Sequence, residues 1–135
     1  MFWITQKRIY RSDLKNNPKV LYIFGDNLER VGLGGQAAEM RGEANAFGIA
    51  TKRAPTYEKE DFFSDDDATL RIIIEEFDNL RKEIATGKYK GVVFPEDGIG
   101  TGISQLPEKA PLCMALVNEL VRQAEEDVNN AHQSA

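Results

Sequence analysis

The sequence predicts a three-layer α/β fold, with helices on both faces of a mixed or mostly parallel central sheet. Three observations predict it. Short apolar runs alternate with longer amphipathic ones. Two of the short runs, Lys19 to Phe24 and Val92 to Phe94, are nearly continuous in apolar residues, as strands buried on both faces are. Each of these two runs opens into a glycine-rich loop followed by a helix. Both loops therefore fall at the carboxyl ends of strands, where open α/β sheets bind ligands.

The elements follow in order. Phe2 to Tyr10 carries β-formers in partial alternation and reads as a strand. Asn16-Asn17-Pro18 is a turn. After the strand ending at Phe24 and the first glycine loop, Gln36 to Ala46 is rich in Ala, Glu and Met and reads as a helix. Gly48 to Arg53 returns as a short strand. Ala54 to Phe63 is a loop. A long helix then starts at Ser64-Asp65-Asp66-Asp67, capped by Ser64 or Asp65. Leu70, Ile73, Ile74, Phe77, Leu80 and Ile84 give it one buried face, and Gly87 ends it. The strand Val92 to Phe94 and the second glycine loop lead to a final helix from about Pro107 to Val128.

The chain has 135 residues, enough for one domain with a real core. That domain is expected over residues 1–128, with 129–135 a frayed polar tail. The one cysteine, Cys113, forms no internal bridge and sits in an apolar helical stretch as a small core residue. No leader peptide or bilayer-spanning run is legible, and a cytoplasmic location is expected. The net charge of −5 argues against a general nucleic-acid binder. A lone histidine, His132 in the polar tail, excludes histidine-based triads and multi-histidine metal sites. No metal or other cofactor is expected, since helix capping accounts for Asp65 to Asp67.

The chemistry is concentrated in the two loops. The first is Gly25-Asp26-Asn27-Leu28-Glu29-Arg30-Val31-Gly32-Leu33-Gly34-Gly35. The second is Pro95-Glu96-Asp97-Gly98-Ile99-Gly100-Thr101-Gly102. Glycines let backbone N–H groups approach a ligand, and a helix start adds donors and partial positive charge. Two such cradles suit a diphosphate or another doubly anionic ligand. A bulky residue at Gly100 is expected to fill the space a phosphate needs. The familiar nucleotide motifs fit poorly. Gly32-Leu33-Gly34-Gly35-Gln36-Ala37 matches G-x-G-x-x-A but starts six residues too late, and Lys52 and Arg53 replace the acidic strand end. No Gly-Lys-Ser/Thr triplet occurs.

In order and spacing, three motifs resemble the macrodomain family. Asp26-Asn27-Leu28 through Gly32-Leu33-Gly34-Gly35-Gln36-Ala37-Ala38 is similar to its first ligand loop. Pro95 through Gly98-Ile99-Gly100-Thr101-Gly102-Ile103 is similar to its second. Gly48-Ile49-Ala50-Thr51-Lys52-Arg53 resembles the Thr-Lys strand of the branch that removes ADP-ribose from acidic side chains. The resemblance spans about Val20 to Pro111. It implies a macrodomain-like fold and ADP-ribose, or a related nucleotide, as ligand, with an ADP-ribosylated protein as a further partner. It implies that Asn27, Gly32, Gly34, Gly35, Gln36 and Gly98 to Ser104 wrap the diphosphate and distal ribose. Asp26 is then the acid that accepts from the adenine amino group, and Lys52 the nucleophile toward the opened ribose. Ser104 stands where that branch has an aspartate, which leaves Asp97 as the acid available to shuttle protons.

Plainer readings stand beside these. Asp26 and Asn27 also suit a simple turn. Lys52 alone reads as a solvated strand-end lysine, and Asp97 as a turn residue. Tyr57, Phe62 and Phe63 either pack their loop onto the core or lend one ring to adenine. The activity is therefore expected to be ADP-ribose binding with hydrolysis of ADP-ribosyl linkages. The alternatives are a non-catalytic module that sequesters a nucleotide signal, an ADP-ribose phosphatase in which Asp26 or Asp97 positions water, and an interaction protein with no small ligand.

Overall fold

Four strands build the sheet of the computed structural model, which describes residues 1–134, and side chains through residue 131. They are β1 (Phe2–Gln6), β2 (Val20–Asn27), β3 (Ala46–Lys52) and β4 (Gly91–Pro95), in the order β1-β4-β2-β3. Every strand pair is parallel, so the mixed sheet expected from sequence is corrected to a parallel one. The reason is connectivity: helices, not hairpin turns, join successive strands. Among the described residues, the antiparallel pairing is an isolated bridge between Lys52 and Phe62.

The helices are α1 (Arg11–Asn16), α2 (Ala37–Met40), α3 (Asp67–Ile84), α4 (Leu106–Lys109) and α5 (Pro111–Ser134). Alternation along β2 divides the core. Leu21 and Ile23 pack with Ile73, Phe77 and Leu80 of α3 and Val117 and Ala124 of α5. Val20, Tyr22 and Phe24 pack with Leu14 of α1 and with Ala37 and Met40 of α2. Helices thus cover both faces of an α/β sheet. Trp3 stacks on Phe94 across β1 and β4, with ring centroids 5.6 Å apart.

Several boundaries differ from the expected ones. The first strand stops at Gln6, and α1 follows because the Asp13 carboxylate accepts the Tyr10 N–H at 2.8 Å. The helix expected over Gln36 to Ala46 is only Ala37–Met40. Arg41 leaves it with an extended backbone, and Gly42 has a φ of +92°. The final helix is broken at Ala110, whose backbone leaves the helical region ahead of Pro111, as residues before proline tend to do. It then continues as α5 to Ser134, across most of the stretch expected as a frayed tail. Ala135 and the His132 side chain lie outside the described residues. Ile74, expected on the buried face of α3, is exposed, and Glu76 is buried in its stead.

The helix caps are also reassigned. Asp66 rather than Ser64 or Asp65 caps α3, accepting the Thr69 N–H at 2.8 Å. Asp65 accepts the N–H groups of Leu112 and Cys113, at 3.0 and 2.9 Å, and so caps α5. Hydrogen bonds from the Ser64 hydroxyl and then from Thr69 lower the Asp66 pKa to about 2. A folded pKa below the unfolded value of about 3.9 gives stability above that value, lost as pH falls through the folded one. Asp66→Ala is therefore expected to melt a few degrees below the parent at pH 7. The gap should narrow between about pH 4 and pH 2, and a pH series of thermal melts checks this. Cys113 is fully buried. Burial, then the Asp65 carboxylate, pushes its thiol up to about 12, as suits a core residue. Among the described residues, no helix is long and apolar enough to cross a membrane.

Candidate functional site

The carboxyl ends of β4, β2 and β3 lie side by side, and their loops enclose two adjoining hollows. The first, of about 270 Å³, holds Asp26, Asn27, Gly32, Gly34, Lys52 and Ile103 in its wall. The second, of about 250 Å³, is walled by Gly35, Gln36, Asp97 and the run Gly98 to Gly102. Gly25, Gly34, Ile103 and Ser104 border both. Together they offer a cleft on the scale of small-molecule sites, which begin at about 300 Å³.

Residues expected to act together are brought together, with one exception: Lys52 lines the first hollow and Asp97 the second. Asp97 is exposed, and its main-chain carbonyl accepts from the Thr101 hydroxyl at 2.9 Å. Ser104, in the place of the expected aspartate, is buried and shares a 2.6 Å hydrogen bond with the Thr51 hydroxyl. That bond ties the second loop to β3 one residue from Lys52. Gln36 accepts the Gly25 N–H at 3.1 Å, which holds the start of α2 against β2.

Lys52 is not a solvated strand-end lysine. It is 2% exposed, and its ammonium nitrogen lies 4.5 Å from the Tyr57 ring centroid and 4.4 Å from that of Phe62. Burial pulls its pKa below the usual lysine value, partly opposed by the charge of Asp61. Aromatic faces attract a cation but offer no hydrogen-bond acceptor in the ring plane. Arg53, next in sequence, turns to α3 and donates to the Thr69 hydroxyl at 2.8 Å. Of the three loop aromatics, Phe62 and Phe63 are buried, whereas Tyr57 is exposed and lines the first hollow.

Asp26 is buried and already engaged. Arg41 Nη2 donates to its Oδ1 at 2.5 Å and Nη1 to its Oδ2 at 3.1 Å, while the Asn27 N–H takes Oδ1 at 2.8 Å. An adenine amino group would have to share a carboxylate that Arg41 holds. Arg41 also donates from Nε to the Gly32 carbonyl at 2.8 Å and from Nη2 to the Val31 carbonyl at 3.2 Å. It is the organiser of the first loop, and sequence reasoning missed it. No local signal marks an arginine just past a short helix as the partner of an acid fifteen residues earlier.

Two buried polar side-chain atoms have no hydrogen-bond partner among the described residues: Asn27 Oδ1 and Lys52 Nζ. Both belong to residues of the first hollow. Asn27 satisfies its amide nitrogen by donating to the Val31 carbonyl at 2.8 Å, which leaves the oxygen as an acceptor. Buried polar atoms are nearly always paired, and exceptions call for a partner.

The loop backbone adds donors. Among the described residues, the N–H groups of Leu33, Gly34, Gly35, Gly100, Thr101 and Gly102 make no hydrogen bond within the protein. The helices that follow, α2 and α4, have four residues each, so these donors come from the loops and not from helix ends. Glycine conformation matters at Gly98 and Gly100, with φ of +82° and +81°. A Cβ at Gly100 would meet Leu106 Cδ1 at 2.5 Å, whereas one at Gly102 would meet nothing within 4 Å. The expectation that a residue at Gly100 fills the ligand space is corrected: its side chain would enter the core. Ile99, expected beside the ligand, lines the second hollow but is only 2% exposed, with its side chain packed in the core. Among the described residues, no three His, Cys, Asp or Glu side chains gather closely enough to hold a metal ion.

A family model matches residues 4–120, and its description is a family of unknown function, DUF7831. No curated protein and no solved structure matches the chain.

Proposed function

We propose, for a chain that belongs to the DUF7831 family of unknown function, that it binds ADP-ribose or a closely related nucleotide in a three-layer, macrodomain-like fold. The observation that carries the reading is the pair of unpartnered buried atoms on two residues that line one hollow, Asn27 Oδ1 and Lys52 Nζ. A ribose answers both: its hydroxyls donate to an amide oxygen, and its oxygens accept from an amine. The free N–H groups of the two loops are suited to a diphosphate running between the hollows. The macrodomain resemblance of those loops supplies the ligand class.

Hydrolysis is the second part of the reading. Lys52 is a buried amine with a lowered pKa, the state in which lysine is nucleophilic. Its addition to the anomeric carbon of an opened ADP-ribosyl ester would release the acidic side chain as a carboxylate, and water would then free the sugar. Asp97 is the proton shuttle of this scheme, yet it sits in the other hollow, and Ser104 carries no acid. This separation favours a non-catalytic nucleotide binder as the competing reading.

Calorimetric titration with ADP-ribose, with AMP and NAD as controls, tests the binding. Saturable heat with ADP-ribose and weaker heat with AMP is the expected result. No heat with any of the three overturns the reading. Incubation with a protein ADP-ribosylated on acidic side chains then separates hydrolase from binder, and release of inorganic phosphate from a phosphorylated ADP-ribose would mark a phosphatase.

A further inference from the structure

The segment from Leu28 to Gly35 has no regular secondary structure, and its residues Val31 to Gly34 wall the first hollow. Asn27 and Arg41 hold its carbonyls from the hollow's side. A third tie runs the other way. Arg30 has a left-handed backbone, φ 58°, and its guanidinium leaves the loop for α3. Its Nη2 donates to both carboxylate oxygens of Glu76, at 2.6 and 2.7 Å, and its Nη1 to the Gly48 carbonyl at 3.0 Å. Glu76 is 7% exposed, and its Oε1 also accepts the Ala50 N–H at 2.6 Å. Arg30 Nη1 lies 3.8 Å from the Asp26 carboxylate as well.

One buried carboxylate therefore joins a helix, the first ligand loop and the strand that carries Lys52. The strand is at the edge of the sheet. The Arg30–Glu76 pair does for Gly48 and Ala50 what a neighbouring strand would do, occupying a carbonyl and an N–H on the free edge. Glu76 is buried but the Arg30 side chain is exposed, and an ion pair open to water on one side adds little net stability because solvent screens it. What the pair fixes is position, since one guanidinium holds both Glu76 oxygens and the Gly48 carbonyl at once.

We propose that Glu76 is a positioning residue of the site: through Arg30 it sets the first glycine loop over the hollow, and through Ala50 it sets the strand bearing Lys52. The proposal rests on the ADP-ribose reading for its binding probe, and its second readout needs no ligand.

Two variants test it. Glu76→Gln keeps the side chain's shape and an acceptor for Ala50, but gives up the charge and one of the two oxygens that Arg30 Nη2 reaches. Arg30→Gly removes the guanidinium at a backbone conformation that glycine adopts freely. Amide hydrogen exchange, ADP-ribose affinity and thermal melting are measured for each. In both, amides of residues 28–35 are expected to exchange faster while those of β2 and β4 keep their protection. ADP-ribose is expected to bind about ten- to a hundredfold more weakly. Arg30→Lys, which keeps the charge, should recover part of that loss. Loop exchange and affinity at parent values in both variants overturn the proposal, whatever happens to the melting temperature. If the parent itself does not bind ADP-ribose, the functional reading fails and loop exchange alone decides the role of Glu76. If Glu76→Gln does not fold, Arg30→Gly decides it.

Discussion

Lys52→Met is expected to stabilise the protein and, at the same time, to reduce removal of ADP-ribose from an acidic side chain by about a thousandfold or more. Methionine matches the length of the lysine stem and suits a slot between aromatic rings, whereas alanine would leave a void beneath Tyr57 and Phe62. The substitution removes a buried amine that has no hydrogen-bond partner, a burden of about 1–3 kcal/mol. Because burial lowers the folded pKa of Lys52, the unfolded chain holds this proton to higher pH than the native one does. Between the two values the unfolded state binds more protons, so the parent's stability rises with pH. The advantage of Lys52→Met should thus be largest near neutrality and shrink as pH climbs toward about 10.4, the free lysine value. Melting curves from pH 6 to 10 read this directly. Affinity for ADP-ribose should fall by no more than about tenfold, the worth of the single ribose contact of Lys52, since the loops supply most of the donors. Turnover that survives the substitution would remove Lys52 from the chemistry and leave a binding module.

The second large effect separates two glycines of one loop. Gly102→Glu adds a side chain that meets nothing within 4 Å at its Cβ and is not constrained to a left-handed backbone. Its carboxylate would stand beside the N–H groups suited to a phosphate, and like charges in such a site cost several kcal/mol. An ADP-ribose affinity at least about a hundredfold weaker is expected, with stability within about 0.5 kcal/mol of the parent. Gly100→Ala should do the reverse. Its Cβ would lie 2.5 Å from Leu106 Cδ1 at a φ of +81°, so it should destabilise by about 2–4 kcal/mol. Its loss of binding would follow from a displaced loop. Melting and calorimetry on the two variants are enough. Undiminished affinity in Gly102→Glu would exclude the second hollow as an anion site.

How much of this was legible beforehand depends on the range of the interactions. The buried strands announced themselves because Val20 to Phe24 and Val92 to Phe94 are apolar on both faces. The glycine loops were legible because glycine is a local signal for an unusual backbone. The expected site residues from both loops all line the two hollows, Ile99 at the base of the second with most of its side chain in the core. What was hidden is long-range pairing. Arg41 reads as one more helical residue until Asp26 is found beneath it. Glu76 reads as the polar face of α3 until Arg30 and Ala50 reach it across 46 and 26 positions. The burial of Lys52 depends on Phe62 and Tyr57 folding back over β3, which no periodicity encodes. Capping is legible in the acidic run Asp65 to Asp67, but its assignment is not: Asp66, rather than Ser64 or Asp65, caps α3, while Asp65 serves α5.

The strand order has a consequence for how the chain is made. Among the described residues β1 pairs with β4 alone, Phe2 opposite Gly91, so β1 must wait for the last strand of this sheet before it has a neighbour. Until then its apolar side chains and its open backbone edge are available to any other extended segment nearby. Pairing across so long a separation also requires a large loop to close first, which slows folding. During synthesis, then, β1 is the vulnerable strand of this sheet, open to a chaperone or a neighbouring nascent chain until β4 arrives.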